Sequence, residues 1–319
     1  DAIVRLIRQS SATDIIEFEN GKVQLLGIRL EEDSRLLHTP LAELWQRNNY
    51  PPVRIVAIQR KQQTVIPRGP DVLVAGDQIY AVCDPTYMPE FITAAGKKDT
   101  IIADVMILGG GLVGQFVASS LTPKVNVKLI ESRVEKSWEI ADRLPETLII
   151  QGDGMDYDLL ASEGILEMDA FVAVTGDDET NIIATLMARH LEVPRAVALV
   201  NRIDYLPITP TIGLDAVISK QLLTVNAVQR HIHHQEVVSM ATLPGVDAHC
   251  IEYRVLENSK ITKKQLSEFK IPKHSLIGAL LRDDQLIIPT GTTHLEPGDK
   301  AVVFTLPQAL ANVEKLFAS

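Results

Sequence analysis

Cysteine is almost missing from this chain: Cys83 and Cys250 are its only two, far apart and set in apolar stretches. They form neither a CxxC pair nor a disulfide framework, so they read as buried thiols in a reducing cytoplasm. An excess of positive charge is missing as well. Against 41 Asp and Glu stand 31 Lys and Arg, a formal net charge of −10. A surface of that sign does not neutralise phosphates, which excludes nucleic acid as a partner. Aromatic residues make up only 5%, yet the hydrophobic share is 46% and the charged share 23%. That is the balance of a chain that folds, far from the disordered class. A membrane-spanning run is also lacking. Residues Val105 to Pro123 carry no charge, but three consecutive glycines, a Gln and two serines interrupt them, the pattern of a strand, a turn and a helix. No charged-then-apolar leader opens the chain, which starts at Asp1 and not at a methionine.

What is present is an internal repeat. VIPRGPDVLVAGDQIYAV from Val65 aligns with IIPTGTTHLEPGDKAVVF from Ile287, setting Pro67 on Pro289, Gly69 on Gly291 and Gly76-Asp77 on Gly298-Asp299, a shift of 222 residues. The same shift lays TDIIEF from Thr13 on QEVVSM from Gln235. Between these anchors a shift three residues larger pairs Arg29 with Arg254, Ser34 with Ser259, Leu41 with Leu266 and Glu43 with Glu268, the length difference falling in an expected loop at Asn48-Asn49-Tyr50-Pro51-Pro52. Each copy alternates β-branched runs with a short helical pattern and a Gly-Asp turn before its last strand, predicting a small α+β module.

Between the copies, apolar runs alternate with helical patterns: IIADVMIL, a helix to about Leu121, VNVKLIE, a helix from Val134, TLIIQGD, another helix, DAFVAVT and a helix from Glu179, then AVALV and AVIS. Strand and helix in strict alternation predict βαβ units and a doubly wound parallel sheet, an α/β Rossmann-like domain.

The first strand of that domain runs into Gly109-Gly110-Gly111-Leu112-Val113-Gly114 and a helix, a GxGxxG in its proper context. Gly109 permits the tight turn, Gly111 the approach of a pyrophosphate, and Gly114 close packing of helix on sheet. The helix start at Leu112 and Val113 offers N–H groups and a positive dipole to phosphates. Glu131 ends the next strand, 20 residues beyond Gly111, where a carboxylate accepts from a ribose diol. It is followed by Ser132 and Arg133. The acid favours a free diol over a 2′-phosphate, and Arg133 weakens that preference; ATP, ADP and NAD all satisfy these contacts. Gly152-Asp153 and Thr175-Gly176-Asp177 close the third and fourth strands on the ligand-binding edge. For Asp177, Asp178 and Glu179 the competing role is helix capping, expected for at least two of the three.

The order GGGLVG, KLIE, QGD, AVTGDDETN and LVNR, from Gly109 to Arg202, resembles the nucleotide-binding domain of the RCK/KTN family of potassium-transport regulators. The flanking repeats resemble the RCK C-terminal domain, and two such pairs in one chain is the Trk-type arrangement. The resemblance covers essentially the whole chain. It implies a cytoplasmic regulator that is not an enzyme, binds NAD(H) or ATP/ADP, and sits at the inner membrane through a Trk-type potassium-translocating membrane subunit. Self-association as a homodimer or tetramer, through Rossmann domains and crossover helices, is also implied. By motif, Gly109, Gly111 and Gly114 would meet phosphates, Glu131 the ribose and Asp153 the adenine side, with Thr175 near the phosphates and Arg202 near the nucleotide or a partner domain.

Residues 1–14 are then the end of a crossover helix of a preceding Rossmann domain, 15–97 the first C-terminal module, 101–235 the Rossmann-like domain and 236–319 the second module. IVRLIRQ from Ile3 corresponds to VNAVQRH from Val225, so the chain is expected to begin inside a helix whose stripe of Ile3, Leu6 and Ile7 is exposed in a monomer. The rival reading is an NAD-dependent dehydrogenase with the same fingerprint. It lacks parts: none of the six tyrosines is followed four residues later by lysine, and no separate substrate domain is left over. His231 and His234 in HIHHQE could share a helical face toward a metal, but they read as the polar end of a helix.

Overall fold

The computed structural model describes residues 1–8, 11–18, 21–44, 53–61, 63–97, 101–122, 124–206, 208–209, 212, 214, 216–232, 237–242 and 246–318. The expected Asn48–Pro52 loop and His234 lie outside them. Two compact units emerge, one of Asp1–Thr13 with Asp99–Leu223 and the other of Asp14–Lys98 with Thr224–Ser319.

In chain order, helix α1 (Ala2–Arg8) precedes a module of β1 (Asp14–Phe18), β2 (Val23–Arg29), α2 (Leu41–Leu44), β3 (Val53–Arg60), β4 (Gln63–Val65), β5 (Gln78–Cys83) and α3 (Met88–Ala94). The Rossmann-like part follows as β6 (Asp104–Leu108), α4 (Leu112–Leu121), β7 (Asn126–Glu131), α5 (Val134–Arg143), β8 (Leu148–Gln151), α6 (Tyr157–Ser162), β9 (Ala170–Ala173), α7 (Asp178–His190), β10 (Arg195–Val200) and β11 (Ala216–Ser219), and α8 (Lys220–Ile232) begins in that unit and continues into the other. The last module holds β12 (Val237–Thr242), β13 (His249–Arg254), β14 (Ser275–Arg282), β15 (Gln285–Ile287), β16 (Lys300–Thr305) and α9 (Leu310–Phe317).

The two modules have one topology. Their antiparallel sheets run β1-β2-β5-β3-β4 and β12-β13-β16-β14-β15, so each strand of one has its counterpart in the other. The Gly-Asp turns explain why the repeat is anchored where it is. Gly76 and Gly298 sit at φ +84° and +96°, a region that favours glycine. The aspartate after each accepts the N–H three residues before it, from Val74 at 3.0 Å and Glu296 at 2.8 Å. Each also takes a two-pronged guanidinium, from Arg60 at 2.8 and 2.7 Å and from Arg282 at 2.8 and 2.8 Å. All these partners are related by the same 222-residue shift. Within this unit the two sheets share one core, in which Val56, Tyr80 and Val82 join Cys250, Val302 and Phe304. Gly278 marks a close approach: a Cβ there would lie 2.8 Å from Val56 of the other module.

The six-stranded sheet of the other unit is parallel throughout, in the order β11-β10-β9-β6-β7-β8. Strands β9, β10 and β11 are buried at every residue, as they must be when helices cover both faces. The uncharged Val105–Pro123 stretch supplies β6, the glycine turn and α4. Among the described residues no helix is long and apolar enough to cross a membrane. The connection reverses between β6 and β9, so the carboxyl edge there is the crevice in which doubly wound sheets bind ligands.

One expectation is corrected. Ile3, Leu6 and Ile7 are not exposed: they are 5%, 3% and 1% accessible, because α1 packs on α4 and β11 of the unit to which it belongs. The aligned positions of α8 differ, with Val225 and Val228 exposed.

Candidate functional site

Four loops meet at the carboxyl ends of β6, β7, β8 and β9. Gly109 has φ +109°, and a Cβ on it would lie 2.9 Å from the Thr175 nitrogen, so the first turn needs glycine for its conformation and for its neighbour. At Gly114 a Cβ would fall 1.9 Å from the Gly109 carbonyl oxygen, which is how α4 closes onto its own entry turn. Gly111 is different. It has nothing within 4 Å of a Cβ position and caps α4 with extended backbone at φ −67°, leaving its open side to a ligand at a helix N-terminus. Leu112 beside it is 87% exposed.

Gly110 is the glycine that motif reasoning passed over. A Cβ on it would sit 2.4 Å from the Ile140 Cδ1 and 2.8 Å from the Glu131 Oε2, so the turn lies directly against the acid. Glu131 is 6% accessible and both its oxygens are engaged. Oε1 accepts the Arg133 N–H at 3.1 Å and lies 3.4 Å from the Arg133 Nε, while Oε2 pairs with the Lys136 Nζ at 2.6 Å. Burial is the largest single influence and pushes this carboxyl up, but Lys136 and Arg133 together outweigh it and hold the group below its ordinary value. The two cations offset the charge that was expected to repel a 2′-phosphate. That preference is therefore weaker than the acid alone implies.

Ser132 accepts the Gln151 Nε2 through its carbonyl at 3.1 Å. The Gly152 N–H donates to the Glu131 carbonyl at 3.0 Å, and a Cβ on it would meet Leu159 at 2.4 Å, so this glycine has a packing reason of its own. Asp153 is exposed and accepts from the Met155 N–H at 2.9 Å. Thr175 donates its N–H and hydroxyl to the Asn181 Oδ1 at 2.9 and 2.7 Å. Gly176 is open on its Cβ side. Val113 is part-buried in the first turn of α4.

The acids that begin α7 divide their work. Asp177 is the N-cap, accepting the Thr180 N–H at 2.7 Å. Asp178 is buried and accepts the Asn201 and Arg202 N–H groups at 2.8 and 2.9 Å, pinning the end of β10. Glu179 takes the Tyr205 hydroxyl. The Arg202 guanidinium lies over the Tyr205 ring, 4.9 Å from its centroid, and 3.7 Å from Asp204. Asn181, which the sequence reading missed, is fully buried and ties Thr175 to the Leu199 carbonyl at 2.8 Å. A lone amide on the sheet-facing side of an amphipathic helix was its signal. Among the described residues no group of His, Cys, Asp and Glu could hold a metal.

Residues 105–220 match the TrkA-N domain family, and residues 25–96 and 250–318 each match the TrkA-C domain family. The chain is 32% identical over 317 residues to Trk system potassium uptake protein TrkA homolog 2 of Methanosarcina mazei, covering 99% of this chain and 70% of that one. It is 30% identical over 321 residues to Trk system potassium uptake protein TrkA of Haemophilus influenzae, again covering 99% and 70%. Among solved structures, the GsuK RCK domain superposes with a TM-score of 0.53 at 18% identity over 99% of this chain and 69% of that one. A GsuK channel bound to NAD does so with the same TM-score and identity over 99% and 57%. With a relative this similar along nearly its whole length, and with its glycine turn and paired modules in family order, the chain belongs to the TrkA family of Trk system potassium uptake proteins.

Proposed function

We propose that this protein is a cytoplasmic regulatory subunit of a Trk-type potassium uptake system, that it binds NAD(H) or ATP/ADP at the β6–β9 crevice, and that the bound nucleotide gates a potassium-translocating membrane subunit. The observation that carries the reading is the open face of Gly111 at a helix N-terminus, beside an ionised Glu131 across Gly110. A pyrophosphate fits the first and a ribose diol the second. The NAD named in a similar channel structure supports the same chemistry. Potassium uptake in the names of the relatives supports a transport role over a dehydrogenase.

Glu131→Ala is expected to weaken NAD and ATP alike, by about ten-fold or more, since a hydrogen bond to a charged group contributes about 1.5–3 kcal/mol. Calorimetric titration measures it, and undiminished affinity removes Glu131 from the site. Regulation is tested with the protein and its membrane partner in liposomes. A ligand biases a gate only through its different affinity for two states, a coupling of about 1–3 kcal/mol. Potassium flux should therefore differ about five-fold or more between ATP and NADH; equal flux rules out nucleotide switching.

A further inference from the structure

Lys136 has no place in the glycine fingerprint, yet it pairs with the acid that the fingerprint includes. It lies in the first turn of α5. Its Nζ is 2.6 Å from the Glu131 Oε2, and Oε2 is the oxygen that lies 2.8 Å from where a Gly110 Cβ would be. The oxygen that Lys136 holds is thus the one packed against the glycine turn. The other oxygen is fixed by backbone, through the Arg133 N–H at 3.1 Å, with the Arg133 Nε a looser neighbour at 3.4 Å. Lys136 is 24% exposed at its side chain and Arg133 67%, so the lysine is the more sheltered of the two cations.

We propose that Lys136 is the positioning residue for ribose recognition: by gripping Oε2 beside Gly110 it fixes the Glu131 carboxylate at the end of β7, where the acid is to accept the 2′- and 3′-hydroxyls. The role rests on the nucleotide-binding reading of this site and deepens it. Rotation about the Cγ–Cδ bond moves both oxygens, so it breaks one hydrogen bond when one oxygen is anchored and two when both are, and the second anchor stiffens the carboxylate. Fixing it before the ligand arrives removes an ordering cost from binding. Lys136 also supplies the opposite charge that a 7%-exposed carboxylate needs to stay ionised. The charged groups facing Glu131 are Lys136 from α5 and Arg133 from the β7–α5 turn. The glycine turn contributes only backbone, and β8 offers the uncharged Gln151.

The test is the pH profile of affinity for NAD and for ADP-ribose, neither of which titrates between about pH 5 and pH 8. In the unaltered protein Glu131 stays ionised across that window, because its folded value lies below the ordinary one. Affinity should be flat. In Lys136→Met, burial acts with less opposition and the carboxyl rises, so affinity should be about ten-fold lower at pH 8 and about a further ten-fold lower at pH 5. Lys136→Arg should restore most of both losses. In a Glu131→Gln background Lys136→Met should add nothing, since the lysine acts through the acid. A carbon-13 titration of the Glu131 carboxyl reads the same coupling without ligand, and Lys136→Met should move it upward. If the unaltered protein binds NAD and Lys136→Met binds it equally with a flat profile, or if the carboxyl titration does not move, the positioning role is overturned while the nucleotide site stands. If the unaltered protein binds neither probe, the nucleotide reading falls and takes the role of Lys136 with it.

Discussion

Gly114→Val is expected to unfold the Rossmann-like unit at markedly lower denaturant and to lose measurable nucleotide binding. A Cβ at this position would lie 1.9 Å from the Gly109 carbonyl oxygen and 3.1 Å from the Gly109 carbonyl carbon. Those are backbone atoms of the entry turn, which is fixed from both sides. The Gly109 N–H donates to the Ile130 carbonyl at 2.9 Å, and a Cβ on that residue would lie 2.9 Å from the Thr175 nitrogen on its other flank. Nothing there yields as a flexible side chain would. The sequence predicts close packing of α4 on the sheet at Gly114; the structure shows that the obstacle to a side chain is the turn itself, so even Gly114→Ala is costly. Overpacking of this kind costs about 3 kcal/mol or more, and displacing the turn also displaces the helix N-terminus that faces the ligand. Gly111→Ala is the contrast. With nothing within 4 Å of its Cβ and an ordinary φ of −67°, it should leave the unfolding transition within about 0.5 kcal/mol while weakening nucleotide binding, because the methyl enters the ligand's space. Equal stability of Gly114→Val and the unaltered protein in a urea titration would show that the clash relaxes, and the packing argument would fail.

How much of this was legible in the sequence depends on where each contact comes from. The parallel sheet, its helices and the placing of Gly109, Gly111 and Glu131 at strand ends follow from local periodicity and spacing, and the strands appear where the apolar runs put them. The repeat was legible for a stronger reason. Asp77 and Asp299 each bind a guanidinium and a backbone N–H through partners at the same spacing, so one local motif repeats whole.

What was not legible depends on how neighbouring elements fold back on one another. Gly110 reads as a free position of GxGxxG until Ile140 and Glu131 are seen occupying the space where its side chain would be. Lys136 reads as one more charge on α5, and Asn181 as one more polar residue on α7. Their partners become visible only when β7 and α5, or β9 and β10, are assembled side by side. The seat of α1 was misjudged for the same reason: its apolar stripe was evident, but its cover is α4 and β11, more than a hundred residues away along the chain.

The paired Gly-Asp turns carry the largest effect expected in the module unit. In Asp77→Ala, the Val74 N–H loses its acceptor and Arg60 loses both prongs of its contact. Asp77 is fully buried, whereas the Arg60 side chain is 43% exposed. Water can therefore reach part of the abandoned guanidinium, which keeps the loss below that of a fully buried pair. Two charge-assisted hydrogen bonds and one orphaned N–H together suggest a loss of about 3 kcal/mol. Asp299→Ala tests the same device in the other copy, where Arg282 keeps a second acid, Glu296, as an alternative partner. Its loss should be smaller by about 1 kcal/mol. The ordering, Asp77→Ala worse than Asp299→Ala, is the discriminating result. Because the two modules share one core around Tyr80 and Phe304, both variants should lower a single transition of that unit in calorimetry, with the Rossmann-like transition unchanged. If Asp77→Ala moved nothing by more than about 0.5 kcal/mol, the turn would be a by-product of the repeat and not one of its fastenings.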